Sequence, residues 1–236
     1  MSSVLTQVEW GKPALQLLNH LTDLDPEKPA ILHLRHTERE KIKKKMDKLD
    51  AQSTPIGLDA AFEFGSGLPK NRKIRLYHTE FQRTEETASS ILNGAKGNQV
   101  DISLEGIIPV STIVNQEEYT RLRKTENNVI VPELIFKWVA DLVPTNIMFS
   151  PLEFAKDMAR HNMSNLINSP KNILDIYITH DVWIASIMFH WFAIPPYSGC
   201  IKYLDGFIIQ PADNGIDIWY RENKYRVEYP YWWEYE

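Results

Sequence analysis

Seven consecutive residues, Ile173-Leu174-Asp175-Ile176-Tyr177-Ile178-Thr179, form an apolar run without the alternation of a half-exposed strand. Such a run reads as a strand buried on both faces, the environment of a parallel sheet covered by helices. It breaks off at His180-Asp181. An earlier run, Ala30-Ile31-Leu32-His33-Leu34, breaks off in the same way at Arg35-His36-Thr37-Glu38-Arg39. In an open α/β sheet, ligands bind beyond the carboxyl ends of the strands. Both breaks therefore fall where such a fold places a site.

The remaining patterns agree with that class. Leu15, Leu17, Leu18 and Leu21 predict a helix over 13–21, with Pro13 in its first turn. A turn at 25–29 leads into the first strand, 31–34. Residues 38–49 are rich in Lys and Glu and read as a solvated helix or a mobile loop. Ser53-Thr54-Pro55 opens a helix over 56–64 that Gly65 and Gly67 are expected to stop. A second strand at 73–77 precedes a helix over 85–92, with Thr84 as its cap and Gly94 as its stop. A short strand is expected at 100–104, whereas 113–128 is polar and supports no assignment. A helix is expected over 132–142. Ser150-Pro151-Leu152-Glu153 combines a capping box with proline at the first helical position and opens another helix, to about 167. An apolar helix over 182–192 follows the central strand and is closed by Pro195-Pro196. Asn214-Gly215 between apolar runs at 207–210 and 216–220 signals a hairpin. Strands and helices alternate with no repeat and no low-complexity linker. The class is α/β with a mainly parallel sheet, and 236 residues fit one domain.

Composition narrows the functions. The formal net charge is -5, which argues against a nucleic-acid partner. The lone cysteine, Cys200, excludes an intramolecular disulfide and a Cys-based zinc motif. No basic start followed by an apolar core reads as a signal peptide, and no run has the ~18 apolar residues of a membrane span. A cytoplasmic protein is expected. The aromatic end, 229–236, reads as a segment docked on the core.

Three strand ends carry reactive side chains. The first has Arg35, His36 and Arg39; the second has His78 and then Arg83; the third has His180 and Asp181. A phosphate monoester carries nearly two negative charges, and the planar guanidinium fork matches its oxygens. A helix starting after Asp181 adds partial positive charge. Arginines around a histidine favour its neutral, nucleophilic form. Taken singly, each residue has a plainer reading. His33 and His78 are ordinary hydrogen-bonded histidines, His190 is a core histidine, Arg39 and Arg83 are surface charges, and Asp181 is a helix N-cap. Their arrival at equivalent strand ends is what points to a site. A metal hydrolase using His33, His36 and His180 is a further reading. Residues three apart on a strand face opposite ways, so it requires the strand to end by Leu34.

Arg35-His36-Thr37-Glu38-Arg39 resembles the signature of the histidine phosphatase superfamily, which includes cofactor-dependent phosphoglycerate mutases, acid phosphatases and phytases. Arg83-Thr84-Glu85-Glu86-Thr87-Ala88 is similar to its next element, Thr179-His180-Asp181 to the late element of the acid phosphatases, and Ser53-Thr54-Pro55-Ile56-Gly57 to the stretch before its second helix. The resemblance runs from about residue 30 to 210. It implies a three-layer sandwich with helices on both faces of the sheet. It also implies a nucleophile, His36, that becomes a phosphohistidine, with Arg35, Arg39, Arg83 and His180 holding the phosphoryl oxygens. Asp181 would be the general acid; a mutase-like member would use Glu105 instead. No metal or cofactor is implied. Thr37 stands where the family usually has glycine, and Lys41 where acid phosphatases tend to have proline. The expected function is a metal-independent phosphomonoesterase acting on a small phosphorylated substrate. The alternatives are a phosphomutase or a non-catalytic phosphate-binding protein on the same fold. The segments near 37–64 and 107–168 are expected to cover the pocket. Lys41, Lys43, Lys44 and Lys45 read as a solvated face.

Overall fold

The computed structural model describes residues 3–41, 51–108, 112–125, 131–167, 169–195 and 201–230. Its elements are α1 (Val4–Gln7), α2 (Lys12–Thr22), β1 (Ala30–Arg35), α3 (Pro55–Ser66), β2 (Lys73–His78), α4 (Gln82–Gly97), β3 (Ile102–Ile107), α5 (Gln116–Thr125), α6 (Val131–Val139), α7 (Pro151–Ile167), β4 (Ile173–Thr179), α8 (Asp181–Phe192), β5 (Gly206–Ala212), β6 (Gly215–Tyr220) and β7 (Asn223–Val227).

The seven strands form one mixed sheet in the order β3-β2-β4-β1-β5-β6-β7. Pairing is parallel from β3 to β1 and antiparallel from β1 onward. The unbroken apolar run becomes β4, buried at every residue between β2 and β1. Its one charged member, Asp175, is paired across the sheet with Arg75 of β2, through bonds of 2.6 and 2.8 Å. A buried carboxylate is tolerable only with such a partner.

Strand side chains alternate between two core clusters. Ile31, Tyr177, Phe207 and Ile209 join Phe154, Met158, Ile184 and Ile187 from α7 and α8. Leu32, Leu34, Ile176 and Ile208 join Leu17, Phe64, Ala88 and Ile91 from α2, α3 and α4. Each fully buried Leu or Ile contributes about 1.5–3 kcal/mol, so both faces of the sheet are anchored.

Local expectations differ from the structure at definite places. α3 stops where expected, at Ser66 with Gly67 as its C-cap, whereas α4 runs three residues past Gly94, to Gly97. Gly65 and Gly94 both lie inside the last turn of their helices. A Cβ on Gly65 would stand 2.1 Å from the Ile91 carbonyl oxygen, and one on Gly94 would stand 2.0 Å from that of Phe62. These glycines let two helices touch backbone to backbone. α4 starts early, with Phe81 as its N-cap; the Thr84 hydroxyl bonds back to the carbonyls of Phe81 and Thr79. α8 starts at Asp181 with His180 as its N-cap, and ends where Ala193 takes a left-handed conformation (φ 54°). β3 lies two residues later than its apolar pattern, β7 is an additional edge strand, and the polar stretch after 113 contains α5. Lys43, Lys44 and Lys45 lie outside the described residues, as do Cys200 and 231–236. Tyr229 packs against the first cluster. Among the described residues no helix is long and apolar enough to cross a membrane.

Candidate active site

β1, β4 and β2 run in the same direction side by side, so their carboxyl ends converge. Beyond β1 the chain is held in place on both sides. The Arg35 N–H donates to the Asp205 carbonyl at 2.8 Å, and the His36 N–H to that of Thr179 at 3.0 Å. The second bond sets His36 directly against the start of the His180-Asp181 turn.

The hydrogen bonds of His36 fix its tautomer. Nδ1 lies 2.7 Å from the Thr37 carbonyl oxygen, which can only accept, so Nδ1 carries the proton. Nε2 is left with a lone pair, and Arg83 Nε donates to it at 3.1 Å. Burial, followed by the charges of Arg35, His180 and Arg83, holds the His36 pKa well below that of a free imidazole. The ring is neutral, with the Nε2 lone pair facing Arg83.

Arg83 bridges the two histidines. Its Nη2 lies 3.3 Å from His180 Nδ1. A guanidinium only donates, so His180 is protonated at Nε2, which reaches Thr79 Oγ1 at 3.0 Å. Thr79 Oγ1 in turn meets Thr84 Oγ1 at 2.9 Å. Burial and then the charges of Arg83, Arg35 and Arg39 push the His180 pKa down. Arg83 itself is lowered to about 10, chiefly by burial and next by Arg39.

Arg35 lines the other side. Its Nη1 donates to the Ile201 carbonyl at 2.6 Å, and its Nη2 is 2.9 Å from Asp181 Oδ2. The guanidinium lies 4.5 Å from the ring centroid of Tyr203, and Arg83 lies at the same distance from Phe81. Asp181 also accepts the N–H of Val182 at 2.9 Å. Arg39 makes an isolated bridge to Ser53 and donates to the Glu40 carbonyl. Its charge reaches both Arg83 and His180. Arg35, His36, Arg83, His180 and Asp181 thus form one contiguous group with Arg39 at its margin. Such a group can bind a dianion and offer it a nucleophile and a carboxyl group.

Other residues lie apart from this group. β1 continues through Arg35, so His33 points to the opposite side of the sheet from Leu32 and Leu34. It stacks between Tyr177 and Phe207 and meets Asn162 at 2.8 Å through Nε2. Burial lowers its pKa to about 3. The metal triad of His33, His36 and His180 therefore does not assemble. Glu105 sits exposed on β3, accepts from Ser103 at 2.6 Å, and acts electrostatically on Asp175 and Tyr77. His78 bonds the Thr79 carbonyl. His190 is partly buried on α8. Thr87, part of the 83–88 element, bonds the Thr37 N–H, and residues not singled out in the sequence complete the group: Thr79, Phe81, Tyr203 and Asp205. Nothing local marks them, because they sit in loops.

Comparison with known proteins gives a consistent result at the level of fold. No family profile and no curated protein sequence matches the chain. Solved structures do. A phosphoglycerate mutase from Bacillus anthracis superposes with a TM-score of 0.53 at 12% identity, covering 86% of this chain and 93% of that one. A mycobacterial glucosyl-3-phosphoglycerate phosphatase gives a TM-score of 0.53 at 13% identity, over 77% and 89%. A phosphoserine phosphatase from Entamoeba histolytica gives 0.50 at 17%, over 77% and 90%. The fold is the one shared by these phosphoglycerate mutase and phosphatase structures.

Proposed function

We propose that this chain is a metal-independent phosphomonoesterase that works through a phosphohistidine on His36. The observation that carries the reading is the state of His36: buried, neutral, protonated on Nδ1, with its Nε2 lone pair inside a group of arginines. The three-layer, single-domain description rests on the helices that cover both sheet faces.

In this reading a substrate phosphate takes over the hydrogen bonds of Arg83 and the charge of Arg35, with Arg39 and His180 completing its cradle. His36 Nε2 then attacks phosphorus as the ester P–O bond breaks. Asp181, in its protonated form, gives its proton to the departing oxygen. In the second half the Asp181 carboxylate takes a proton from water, the oxygen attacks phosphorus, the P–N bond breaks, and phosphate leaves. The charge at phosphorus is borne by arginine N–H groups, so the scheme calls on no metal. Substrates are small phosphate esters in the sense of the fold neighbours named for phosphoserine and glucosyl-3-phosphoglycerate. Glu105 belongs to the mutase alternative, which differs in passing the phosphoryl group to an acceptor other than water.

The test is phosphate release from an aryl phosphate in the presence of EDTA, with wild type and His36→Ala compared at pH 4 to 8. EDTA-resistant release that the substitution abolishes is expected. Release lost to EDTA overturns the metal-free scheme. Release unchanged in His36→Ala overturns the nucleophile. Phosphorylation of His36 without hydrolysis shifts the assignment to the mutase.

A further inference from the structure

We infer that Thr37 is a positioning residue for the nucleophile, acting through a hydroxyl latch onto α3. The inference rests on the reading of His36 given above. Thr37 stands where the signature it resembles has glycine, and it is fully buried. Its hydroxyl donates to the carbonyl of Gly57, in the first turn of α3, at 2.7 Å. Its N–H donates to Thr87 Oγ1 at 3.1 Å, and the Thr87 hydroxyl donates to the Arg83 carbonyl. Its own carbonyl accepts the His36 Nδ1 proton. Every polar group of Thr37 is therefore engaged, and each bond has a different target: α3, α4 and the nucleophile.

The consequence is geometric. The carbonyl that selects the His36 tautomer belongs to a residue held on two sides, through its N–H by α4 and through its hydroxyl by α3. The α4 side of that hold bonds the Arg83 backbone, whose side chain meets His36 Nε2. A glycine at 37 would have the N–H and the carbonyl but no hydroxyl, leaving residue 37 without its hold on α3. The latch also explains Gly57. A Cβ there would lie 2.6 Å from the Glu38 carbonyl oxygen, closer than real Cβ atoms come, and a tight 3.1 Å from Thr37 Oγ1, so the Thr37–Glu38 loop would have to shift off the helix. The gain is of the kind positioning supplies, since small misplacements of a reacting group cost far more rate than binding.

The test compares Thr37→Val, which is isosteric without the hydroxyl, with Thr37→Ser, which restores it. Two readouts are taken: aryl phosphate kinetics, and the tautomer of His36 from its ring nitrogen chemical shifts by NMR. Thr37→Val is expected to lower kcat about tenfold with KM within about twofold, and to mix the two neutral tautomers of His36. Thr37→Ser is expected to recover kcat to within about twofold and keep Nδ1–H. Thr37→Val with wild-type kcat and a pure Nδ1–H tautomer overturns the latch. So does Thr37→Ser behaving like Thr37→Val. If wild type shows no His36-dependent turnover, the phosphatase reading fails, while the tautomer readout still decides the latch. A melting profile for each variant guards against a plain loss of fold. If Thr37→Val does not fold, Thr37→Ser against Thr37→Ala supplies the same contrast.

Discussion

His36 accepts a hydrogen bond on one ring nitrogen and donates from the other, and both partners are themselves held by α4. Its lowered pKa means the neutral ring persists to acid pH well below the 6.5 of a free histidine. In the proposed reaction, the proton donor to the leaving group has two carboxyl candidates. Asp181 is bonded to Arg35, inside the group. Glu105 lies on the edge strand beside Ser103. We predict that Asp181→Asn slows an alkyl phosphate by about 10²–10⁴, the usual worth of general acid catalysis. An aryl phosphate, whose leaving group needs little protonation, should slow far less. Glu105→Gln should leave both rates within about twofold on the same scale. The reverse pattern, measured as kcat/KM for the two esters, would transfer the acid role to Glu105.

At the scale of elements, α4 is the organiser of the site. It begins at Gln82, presents Arg83 to both histidines and Thr87 to the nucleophile loop, and lies directly on α3. Gly65 and Gly94 permit that contact, since any side chain on either would enter the other helix's backbone. Gly65→Ala should therefore cost about 1–3 kcal/mol or more, as overpacking of a tight contact does. Phosphate release should fall with it, because α4 carries Arg83. Urea denaturation with an unchanged midpoint would refute the contact argument. The same two glycines read along the chain as helix stops, and each lies in the last turn of its helix, yet glycine lowers helix propensity whatever its surroundings. The gain that overrides this cost lies across the helix pair and leaves no mark in the local pattern. β7 was illegible for a related reason. It is an edge strand with mostly exposed side chains, among them Lys224 and Arg226, and such charges protect an open edge instead of filling a core.

At the scale of the whole molecule, several neutral histidines are locked inside. Burial lowers the pKa of His33 to about 3 and those of His36 and His180 well below the free value. The unfolded chain binds protons at these sites as pH falls through about 6.5, whereas the folded chain does not. Stability contributed by the neutral folded state is thus complete above about 6.5 and is lost progressively as pH drops toward the folded values. For His33 that window runs from 6.5 down to about 3. Each such histidine costs at most about 1.4 kcal/mol per pH unit. Urea unfolding at pH 7.5 and 5.5 should show a lower midpoint at the acid pH, even with EDTA present. Equal midpoints would mean that the histidines are protonated, or reached by water, in the folded state.

The sequence alone determined that β1, β2 and β4 exist and, to within a residue, where they run, that β4 lies inside the sheet, and that the ends of these strands carry histidine and arginine. Those are local matters, since hydrophobic periodicity and a break into charged residues can be read within a window of ten residues. Tertiary structure alone decided which of the reactive residues meet. His33 and His36 are three positions apart, yet one ends in an apolar stack with Tyr177 and Phe207 and the other beside Arg83. The pleat turns them to opposite sides. Strand order brings His180 to His36 across 144 residues of chain, and a threonine hydroxyl meets a glycine carbonyl twenty positions on. Such pairings depend on how strands order and helices pack, and the energies that select them act between parts of the chain no local pattern connects.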